Sequence, residues 1–270
     1  MKFRIRAVSQ MTGISPNGIR FYEAKNVVMP ERESNGKYRS YGPKELSDLL
    51  GAKNFRGCGF SLDESVALMN AEGTNEIVAR IGRRCDELRK EMEERNLLLD
   101  YLRRKVASLE SLEADLKGFK TEDRPDLYWL SLEQDGQPRR KAAPREEACR
   151  WLEWVPFADS CLLFAAEELR RGEGAPTSLW GLALDSRVAE CLHFGPAPCA
   201  QRFSTIRCSR TVVEITEDLC MTRESADRVS EFLDHNETAP GEFCVSRRII
   251  SVNGDSRSLR FDNLWIPLRV

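Results

Sequence analysis

The sequence predicts an α+β protein with an N-terminal winged helix-turn-helix, a long coiled-coil dimerisation helix and a C-terminal antiparallel α+β domain. Three observations carry this prediction. Ser15 and Pro16 open a short helix after a glycine turn, apolar heptads begin near residue 76, and strand patterns separated by turn signals fill the C-terminal half. The expected boundaries are 1–75 for the first domain, 76–118 for the helix, 119–125 for a linker and 126–270 for the last domain.

The charge of the chain is unevenly distributed along its 270 residues, although the formal net charge is only -2. Residues 1–75 contain eleven Lys or Arg against eight Asp or Glu, and residues 76–118 contain ten of each. The remainder contains twenty basic against twenty-five acidic residues. A basic head on an acidic body suits a protein whose first domain binds DNA.

No segment predicts a membrane span or a signal peptide, so a cytoplasmic location without a membrane partner is expected. The nine cysteines are an odd number without a Cys-x-x-Cys pair. In a reducing compartment they are expected to be free thiols. No cofactor and no metal site are predicted. Cys85 lies in the heptad seam, and no cysteine follows it until Cys149.

The helix-turn-helix is predicted from caps and spacing. The supporting helix has its apolar residues at Ile5, Val8 and Met11. Gly13 ends it, and Ser15 with Pro16 gives the N-cap and first position of a recognition helix over 15–24. Ile19 is the expected inward anchor of that helix.

A wing is predicted next, because Asn35 and Gly36 form a hairpin signal. Basic and aromatic residues follow that turn at Lys37, Tyr38, Arg39 and Tyr41. An ordinary surface hairpin is the alternative, and the neighbouring helix-turn-helix favours the wing. Two further helices begin at Pro43 and after Ser61, where Glu64 has the spacing of a capping box.

Heptad spacing then predicts a dimerisation helix about 60 Å long. The heptad positions are Val78, Ile81, Cys85, Leu88, Met92, Arg95, Leu99, Leu102, Val106, Leu109, Glu113 and Leu116. Only Arg95 and Glu113 interrupt the apolar pattern. Such a stripe favours an antiparallel or parallel homodimer over a helix packed on the C-terminal domain.

The C-terminal half predicts an antiparallel sheet with two helices. Strands are expected at 127–132, 160–166, 178–184, 188–194, 211–216, 242–252 and 259–270, and helices at 145–154 and 222–236. Asn253, Gly254 and Asp255 form the turn signal between the last two strands.

Residues 4–75 resemble the DNA-binding domain of the MerR family of transcription regulators. The motifs that carry the resemblance are Val8-Ser-Gln-Met-Thr-Gly-Ile-Ser, Ile19-Arg-Phe-Tyr-Glu, Tyr38-Arg-Ser-Tyr and Gly59-Phe-Ser-Leu-Asp-Glu. The long helix is similar to the antiparallel dimerisation coiled coil of that family. The order of the later elements resembles the GyrI-like effector domain of its multidrug-sensing members.

The resemblance implies a homodimer that binds a two-fold operator in an overlong promoter spacer. The dimer would bend and untwist this double-stranded DNA, and an effector would switch the distortion so that RNA polymerase, an indirect partner, can start. The implied DNA contacts are Ser15, Asn17, Gly18, Arg20, Phe21, Tyr22, Lys37, Tyr38, Arg39 and Tyr41. Gly18 and Lys37 depart from the residues usual in the family.

A small aromatic or hydrophobic effector is the favoured ligand, because the C-terminal half is rich in aromatic residues. The candidate binding residues are Trp151, Trp154, Phe164, Trp180, Phe194, Phe243, Cys244 and Trp265. Any single one of them is better explained as a core residue. A thiol-based redox sensor and a small-molecule hydrolase are the alternatives. No nucleophile–base pair supports the hydrolase, so the chain is not expected to be an enzyme.

Overall fold

Capping residues and turn glycines place the first helices where the sequence predicts them. The computed structural model describes residues 1–32, 38–134, 137–138, 142–172, 176–237, 243–253 and 258–269. The chain divides into two units, Met1–Met92 and Glu93–Val270. We describe each unit by itself.

The first unit is mainly helical. Its elements are α1 (Ile5–Thr12), α2 (Pro16–Ala24), β1 (Glu31–Arg32), β2 (Arg39–Ser40), α3 (Pro43–Gly57), α4 (Leu62–Met69) and the first part of α5 (Thr74–Glu110). Gly13 ends α1 with φ of +65°, a conformation that glycine adopts at little cost. The hydroxyl of Ser15 accepts a hydrogen bond from the Gly18 amide at 3.1 Å and so caps α2. Both predicted helix boundaries are therefore confirmed.

The core of the first unit lies between α1, α2 and α3. Its buried members are Val8, Ile19, Tyr22, Val27, Val28, Tyr41, Leu49 and Ala52. The predicted anchor Ile19 is fully buried, whereas Met11, predicted on the inward face of α1, is 55% exposed. Strands β1 and β2 pair antiparallel, with Glu31 opposite Ser40. The predicted turn at Asn35 and Gly36 lies outside the described residues.

The long helix α5 ends earlier than its heptads predict. A break at Ser111 separates it from α6 (Leu112–Asp115). The Ser111 hydroxyl lies 3.0 Å from the Ala107 carbonyl and 2.8 Å from the Asp115 carboxylate, so it competes with the helical backbone bonds. The predicted helix over 76–118 is corrected accordingly.

The second unit has an antiparallel sheet of eight strands. The described strands of the unit, including two that lie outside the large sheet, are β3 (Lys120–Arg124), β4 (Leu127–Ser131), β5 (Glu133–Gln134), β6 (Gln137–Pro138), β7 (Asp159–Ala165), β8 (Ser178–Asp185), β9 (Gln201–Phe203), β10 (Ile206–Ile215), β11 (Phe243–Asn253) and β12 (Ser258–Pro267). Its further helices are α7 (Ala142–Leu152), α8 (Ala166–Arg171), α9 (Ser186–Cys191) and α10 (Arg223–Asp234). The strand order in the large sheet is β3-β10-β12-β11-β7-β8-β4-β9, and β5 pairs with β6 separately.

Two predictions for this unit are wrong. The polar segment 119–125, predicted as a linker, contains β3, which pairs with β10 from Lys120 opposite Arg210 to Arg124 opposite Ile206. Segment 188–194, predicted as a strand, belongs largely to α9, whose Val188 and Ala189 are buried. The described part of the unit therefore has more helices than the two predicted.

Helices cover one face of the sheet in two places. Helices α8 and α10 pack over β7, β10, β11 and β12, while α7 and α9 pack over β4 and β8. Alternate residues point to the opposite face, which we call the interior face. It contains Leu127, Trp129, Cys161, Leu163, Ala183, Phe203 and Val245.

The sheet curls around this interior face. Strand β9 is at one end of the strand order and β10 is next to the other end. Only Ser204 and Thr205 connect them, so Phe203 and Ile206 lie at most about 11 Å apart. The two ends of the sheet are therefore close together, and Arg124 on β3 donates a hydrogen bond to the Ser204 carbonyl at 2.8 Å.

The replacement Gly181→Ala tests the packing of β8 in this curled sheet. A Cβ at Gly181 would lie 2.4 Å from the Leu130 carbonyl oxygen and 2.6 Å from Trp129 Nε1. We expect the free energy of unfolding to fall by about 1–3 kcal/mol, measured by urea denaturation. Gly195→Ala is the matched control, because no atom lies within 4 Å of its Cβ position. Equal stability of the two variants would contradict the close packing.

Candidate functional site

The solvent-facing side of α2 is the candidate nucleic-acid surface. Ser15, Asn17 and Arg20 are exposed, and Arg20 Nη1 donates to Asn17 Oδ1 at 3.0 Å. The buried side of the same helix is fixed by Ile19. Exposed polar groups on a helix with a firm core behind it can meet base edges and phosphates in a defined orientation.

The packing inside the first unit favours glycine at position 18. A Cβ at this position would lie 2.9 Å from the Ile14 Cγ2 atom. Gly18 is half-buried, and its amide donates to the Ser15 hydroxyl, which caps the helix. Packing against Ile14 therefore explains this departure from the family pattern without an approach to DNA.

Two of the three tyrosines predicted as DNA contacts, Tyr22 and Tyr41, are core residues, which corrects that prediction. Tyr22 is 3% exposed and Tyr41 is fully buried. Phe21 is half-buried, packs edge-on against Tyr22 at 5.9 Å and carries the Lys25 ammonium 5.7 Å from its ring centre. The tyrosines lie next to basic residues in sequence, but their rings form the support of the surface rather than the surface.

Glu23 joins the recognition helix to β2. The Tyr41 hydroxyl donates to Glu23 Oε1, and Arg39 Nε lies 2.7 Å from Glu23 Oε2. Burial, with the hydrogen bond to Glu23 as a second cause, raises the pKa of Tyr41 well above its usual range, so it stays a donor. Arg39, predicted as a phosphate contact, thus also positions β2 on α2.

Tyr38 and Arg4 extend the basic surface beside β2. Tyr38 is exposed, and the Arg4 guanidinium lies 4.5 Å from the centre of its ring. Arg4 was not among the predicted DNA contacts, although it directly precedes α1 and lies two residues from Arg6 in sequence. Lys37, the remaining predicted wing contact, lies outside the described residues.

The predicted effector residues do not form one pocket, and this corrects the prediction. Trp151, Trp154 and Phe194 pack together in the core under α7 and α9. Phe164 and Cys244 lie in the core under α8 and α10, Phe243 packs on the interior face, and Trp180 is partly exposed with its indole donating to Ser160. Only Trp265 among them lines the cavity of the second unit.

That cavity has a volume of about 370 Å³ and lies between the end of α5 and the sheet. Tyr101, Phe157 and Trp265 give it aromatic walls, and Lys105 projects into it from α5. The volume suits a ligand of one or two rings. The Trp265 indole donates to Glu122 at 2.9 Å, which fixes the ring at the wall of the cavity.

Charged side chains line the rest of the cavity, and nearly all of them are paired. The pairs are Arg104 with Asp185, Arg247 with Asp185, Arg248 with Asp159, Arg210 with Glu122, and Asp123 with Arg207. Lys105 differs, because its ammonium donates to the carbonyls of Arg248 (3.1 Å) and Ile249. Burial lowers the pKa of Lys105, although Asp159 opposes this shift.

Sequence reasoning missed the helical side of this cavity. Tyr101, Lys105 and Ser108 follow one another by four and three residues, on a face of α5 different from the heptad stripe. This second stripe is a signal that the heptad pattern obscured. The strand residues Arg210 and Arg247 had no comparable signal, since their pairing depends on the fold.

Within the described residues, no group of three His, Cys, Asp or Glu side chains is arranged to hold a metal ion. Likewise, no helix in this part of the chain has the length and apolar character needed to cross a membrane.

Comparison with known proteins assigns the first unit. The family described as MerR HTH family regulatory protein matches residues 3–72. The chain is 36% identical over 96 residues to the HTH-type transcriptional regulator CueR of Escherichia coli O157:H7, covering 31% of this chain and 71% of that protein. The chain belongs to the MerR family. Membership in a family of transcriptional regulators agrees with the prediction that the chain is not an enzyme.

The chain is also similar to a second curated regulator and to a solved structure. The HTH-type transcriptional regulator ZntR homolog of Haemophilus influenzae is 31% identical over 107 residues, which is 39% of this chain and 79% of that protein. A solved structure of an EcmrR–DNA complex covers 99% of this chain and 100% of that chain, at 14% identity and a TM-score of 0.36.

The replacement Glu23→Gln tests the connection between α2 and β2. Loss of the charge weakens the bonds from Tyr41 and Arg39, so we expect the free energy of unfolding to fall by about 1–2 kcal/mol. The measurement is urea denaturation at neutral pH. Glu31→Gln is the control, since Glu31 pairs with Lys2 and both side chains are well exposed. Equal losses in both variants would show that Glu23 has no special role.

Proposed function

We propose that the chain is a DNA-binding transcription regulator that acts as a homodimer on a two-fold operator in a promoter spacer. A small molecule bound in the second unit switches transcription by changing the distortion of that DNA. The observation that carries the DNA-binding part is the exposed Asn17–Arg20 pair on a helix anchored by buried Ile19. Membership in the MerR family supports the same role.

In this proposal, Ser15 and Asn17 approach base edges from the start of α2. Arg20, with Tyr38 and Arg39 on the hairpin, contacts the phosphate backbone, and the hairpin acts as a wing. Lys37 keeps its place among the proposed wing contacts by its position in sequence. These contacts set position and salt dependence, while the spacing of the two half-sites supplies much of the specificity.

The homodimer is proposed to form through the heptad stripe of residues 76–118. In the described chain α5 has no buried residue, and its seam includes Val78 (67% exposed), Met92 (63%) and Val106 (53%). A long apolar stripe facing solvent is unusual for a monomer, and a second copy of α5 has the matching pattern. An antiparallel pairing would place the two recognition helices at opposite ends of the seam.

The effector is proposed to bind the cavity between α5 and the sheet. We infer a GyrI-like type for this unit from the curled antiparallel sheet with helices on its outer face. The first domain keeps the proposed limits 1–75, and the dimerisation segment keeps 76–118. The last domain, predicted as 126–270, is extended at its start to include β3, which replaces the predicted linker. RNA polymerase would respond to the DNA geometry that the dimer imposes.

The buried cysteines Cys161 and Cys244 do not support the thiol-sensor alternative, which would have to use the five exposed cysteines. Burial raises the pKa of Cys161 to about 12 and raises that of Cys244 further, so both thiols stay protonated at neutral pH. The small-molecule hydrolase would require a nucleophile beside a base, and the cavity lining is instead a set of ion pairs.

The replacement Arg20→Ala tests the DNA contact. We expect operator affinity to fall and the slope of log affinity against log salt concentration to decrease by about 0.9 per site, as one phosphate contact is lost. Binding to the promoter region upstream of the chain's own gene is measured by fluorescence anisotropy at several salt concentrations. Arg223→Ala, at an exposed position of the second unit, is the control. An unchanged slope in Arg20→Ala would contradict the proposed contact.

The replacement Leu102→Asp tests the dimer seam. Leu102 is 51% exposed, so a carboxylate there costs little in one copy and would be desolvated in the seam. We expect a monomer by sedimentation equilibrium, with lost operator binding. Arg103→Asp changes the neighbouring exposed residue outside the heptad positions and should remain dimeric. A dimeric Leu102→Asp variant would place the interface elsewhere.

A further inference from the structure

The interior face of the curled sheet contains a buried arginine that is not paired with a carboxylate of the described residues. Arg124, the last residue of β3, is 2% exposed. Its Nη2 atom donates to the Ser204 carbonyl, whereas Nε and Nη1 are buried and have no hydrogen-bond partner among the described residues. The ring of Phe203 lies 5.3 Å from the guanidinium carbon.

Three other arginines of this unit that are withdrawn from solvent are paired with carboxylates, and half-buried Arg228 donates to the Thr211 hydroxyl and the Val212 carbonyl. Arg260 is bound by Asp262 at 2.6 Å, Arg210 by Asp115 at 2.9 Å, and Arg247 by Asp185. An ionised group taken out of water without a partner destabilises the fold, and buried polar groups almost always have hydrogen bonds. Arg124 therefore requires an explanation that its neighbours do not.

The unsatisfied groups of this face are all donors. Besides the two nitrogens of Arg124, the buried Trp129 Nε1 atom also has no partner in the described structure. Trp129 and Phe203 belong to the same cluster, and Phe203 packs against the Arg124 guanidinium. Guanidinium and indole N–H groups can only donate hydrogen bonds. Any group that bonds either Arg124 or Trp129 must therefore be an acceptor. A negatively charged acceptor also compensates the buried charge.

The effector cavity begins beside this arginine. Glu122 lines the cavity, and Arg124 lies two residues further along the same strand. Residues two apart on a strand point to the same face and are about 7 Å apart. The Arg124 backbone is thus one side-chain row from the wall formed by Glu122 and Trp265, and its neighbour Pro125 also lines the cavity.

The charges of the cavity favour an anion for a second reason. Each of its acids, Glu122, Asp123, Asp159 and Asp185, already has an arginine partner. A cationic ligand would have to break one of these pairs. Lys105, in contrast, contacts two carbonyls and the Tyr101 ring and forms no ion pair within the hydrogen-bond and salt-bridge distances of the described residues, so its positive charge adds to that of Arg124.

We propose that the second unit binds an aromatic acid, with the anionic group accepting hydrogen bonds from Arg124 and the ring in the adjoining cavity. This assignment rests on the proposed effector role of the second unit and names the chemical class of the effector. Because Arg124 is 2% exposed and does not line the cavity, this binding mode requires the wall formed by Glu122 and Trp265 to move.

The test compares naphthoate with its uncharged amide, naphthamide, on the full-length protein at neutral pH by isothermal titration calorimetry. We expect naphthoate to bind the wild-type chain at least about tenfold more tightly, because only the acid compensates Arg124. Arg124→Met should bind both compounds equally. Arg223→Met is the matched control, since the Arg223 side chain is 95% exposed on α10, is not part of the cavity lining and should keep the preference.

Thermal unfolding gives an independent measurement. Without ligand, Arg124→Met should unfold at a higher temperature than wild type, because a buried charge without a partner has been removed. Naphthoate should stabilise wild type and not this variant. If Arg124→Met fails to fold, Arg124→Lys serves instead; it keeps the charge and should retain part of the preference for the acid.

Three results would overturn the assignment. They are equal affinity of wild type for acid and amide, an unchanged preference in Arg124→Met, and no binding of naphthoate or benzoate by wild type. Operator binding by the same preparation without ligand is measured in parallel. Its loss would contradict the proposed regulator function, whereas intact operator binding with any of the three results would contradict the anion site alone.

Discussion

The C-terminal half of α5 has two stripes of side chains that both need a partner. Tyr101, Lys105 and Ser108 face the cavity of the second unit. Leu102 and Val106 lie one position further along and are about half exposed. Because a helix has 3.6 residues per turn, these stripes lie on different sides of the same few turns. The sheet satisfies the first stripe, and the proposed second copy of α5 would satisfy the other.

This arrangement gives a physical route from ligand to dimer. Lys105 is held by the carbonyls of Arg248 and Ile249, so its position depends on strand β11 beside the cavity. Val106 is its covalent neighbour. A ligand that displaces Lys105 therefore acts on the same helical turn that carries a seam residue, and packed helices respond to such shifts by discrete rearrangement rather than smooth bending.

The sequence predicted those parts of the fold that depend on local interactions. The Ser15 cap, the turn at Gly13 and the capping box at Ser61 each involve residues within four positions of one another, and all three form as expected. The anchor Ile19 followed from helical spacing. The strand prediction for segment 188–194 was wrong because Val188 and its apolar neighbours suit either a strand or a short helix. Only packing against β4 and β8 decides between the two.

Long-range pairing explains the other misses. The segment of β3 was predicted as a linker because four of its five residues are charged. Its strand conformation depends on hydrogen bonding to β10. Tyr22 was assigned to the surface by the family resemblance and Tyr41 by its place among basic and aromatic residues after the hairpin turn, but burial is a property of the assembled core. The effector prediction failed for a related reason. Aromatic content indicated a pocket, yet most of these rings fill three separate cores and ion pairs line the cavity instead.

Those ion pairs connect the cavity to the helix through Asp185. Its carboxylate binds Arg104 on α5 at 3.2 Å and also Arg247 on β11, so a single acid ties the helix to the sheet. An anion that enters the cavity towards Arg124 would also attract these two guanidinium groups and so weaken their bonds to Asp185. A neutral ring would leave the pair of contacts unchanged. The charge of the effector, rather than its size, would therefore decide how firmly the sheet holds the last turns of α5, and through them the seam of the proposed dimer.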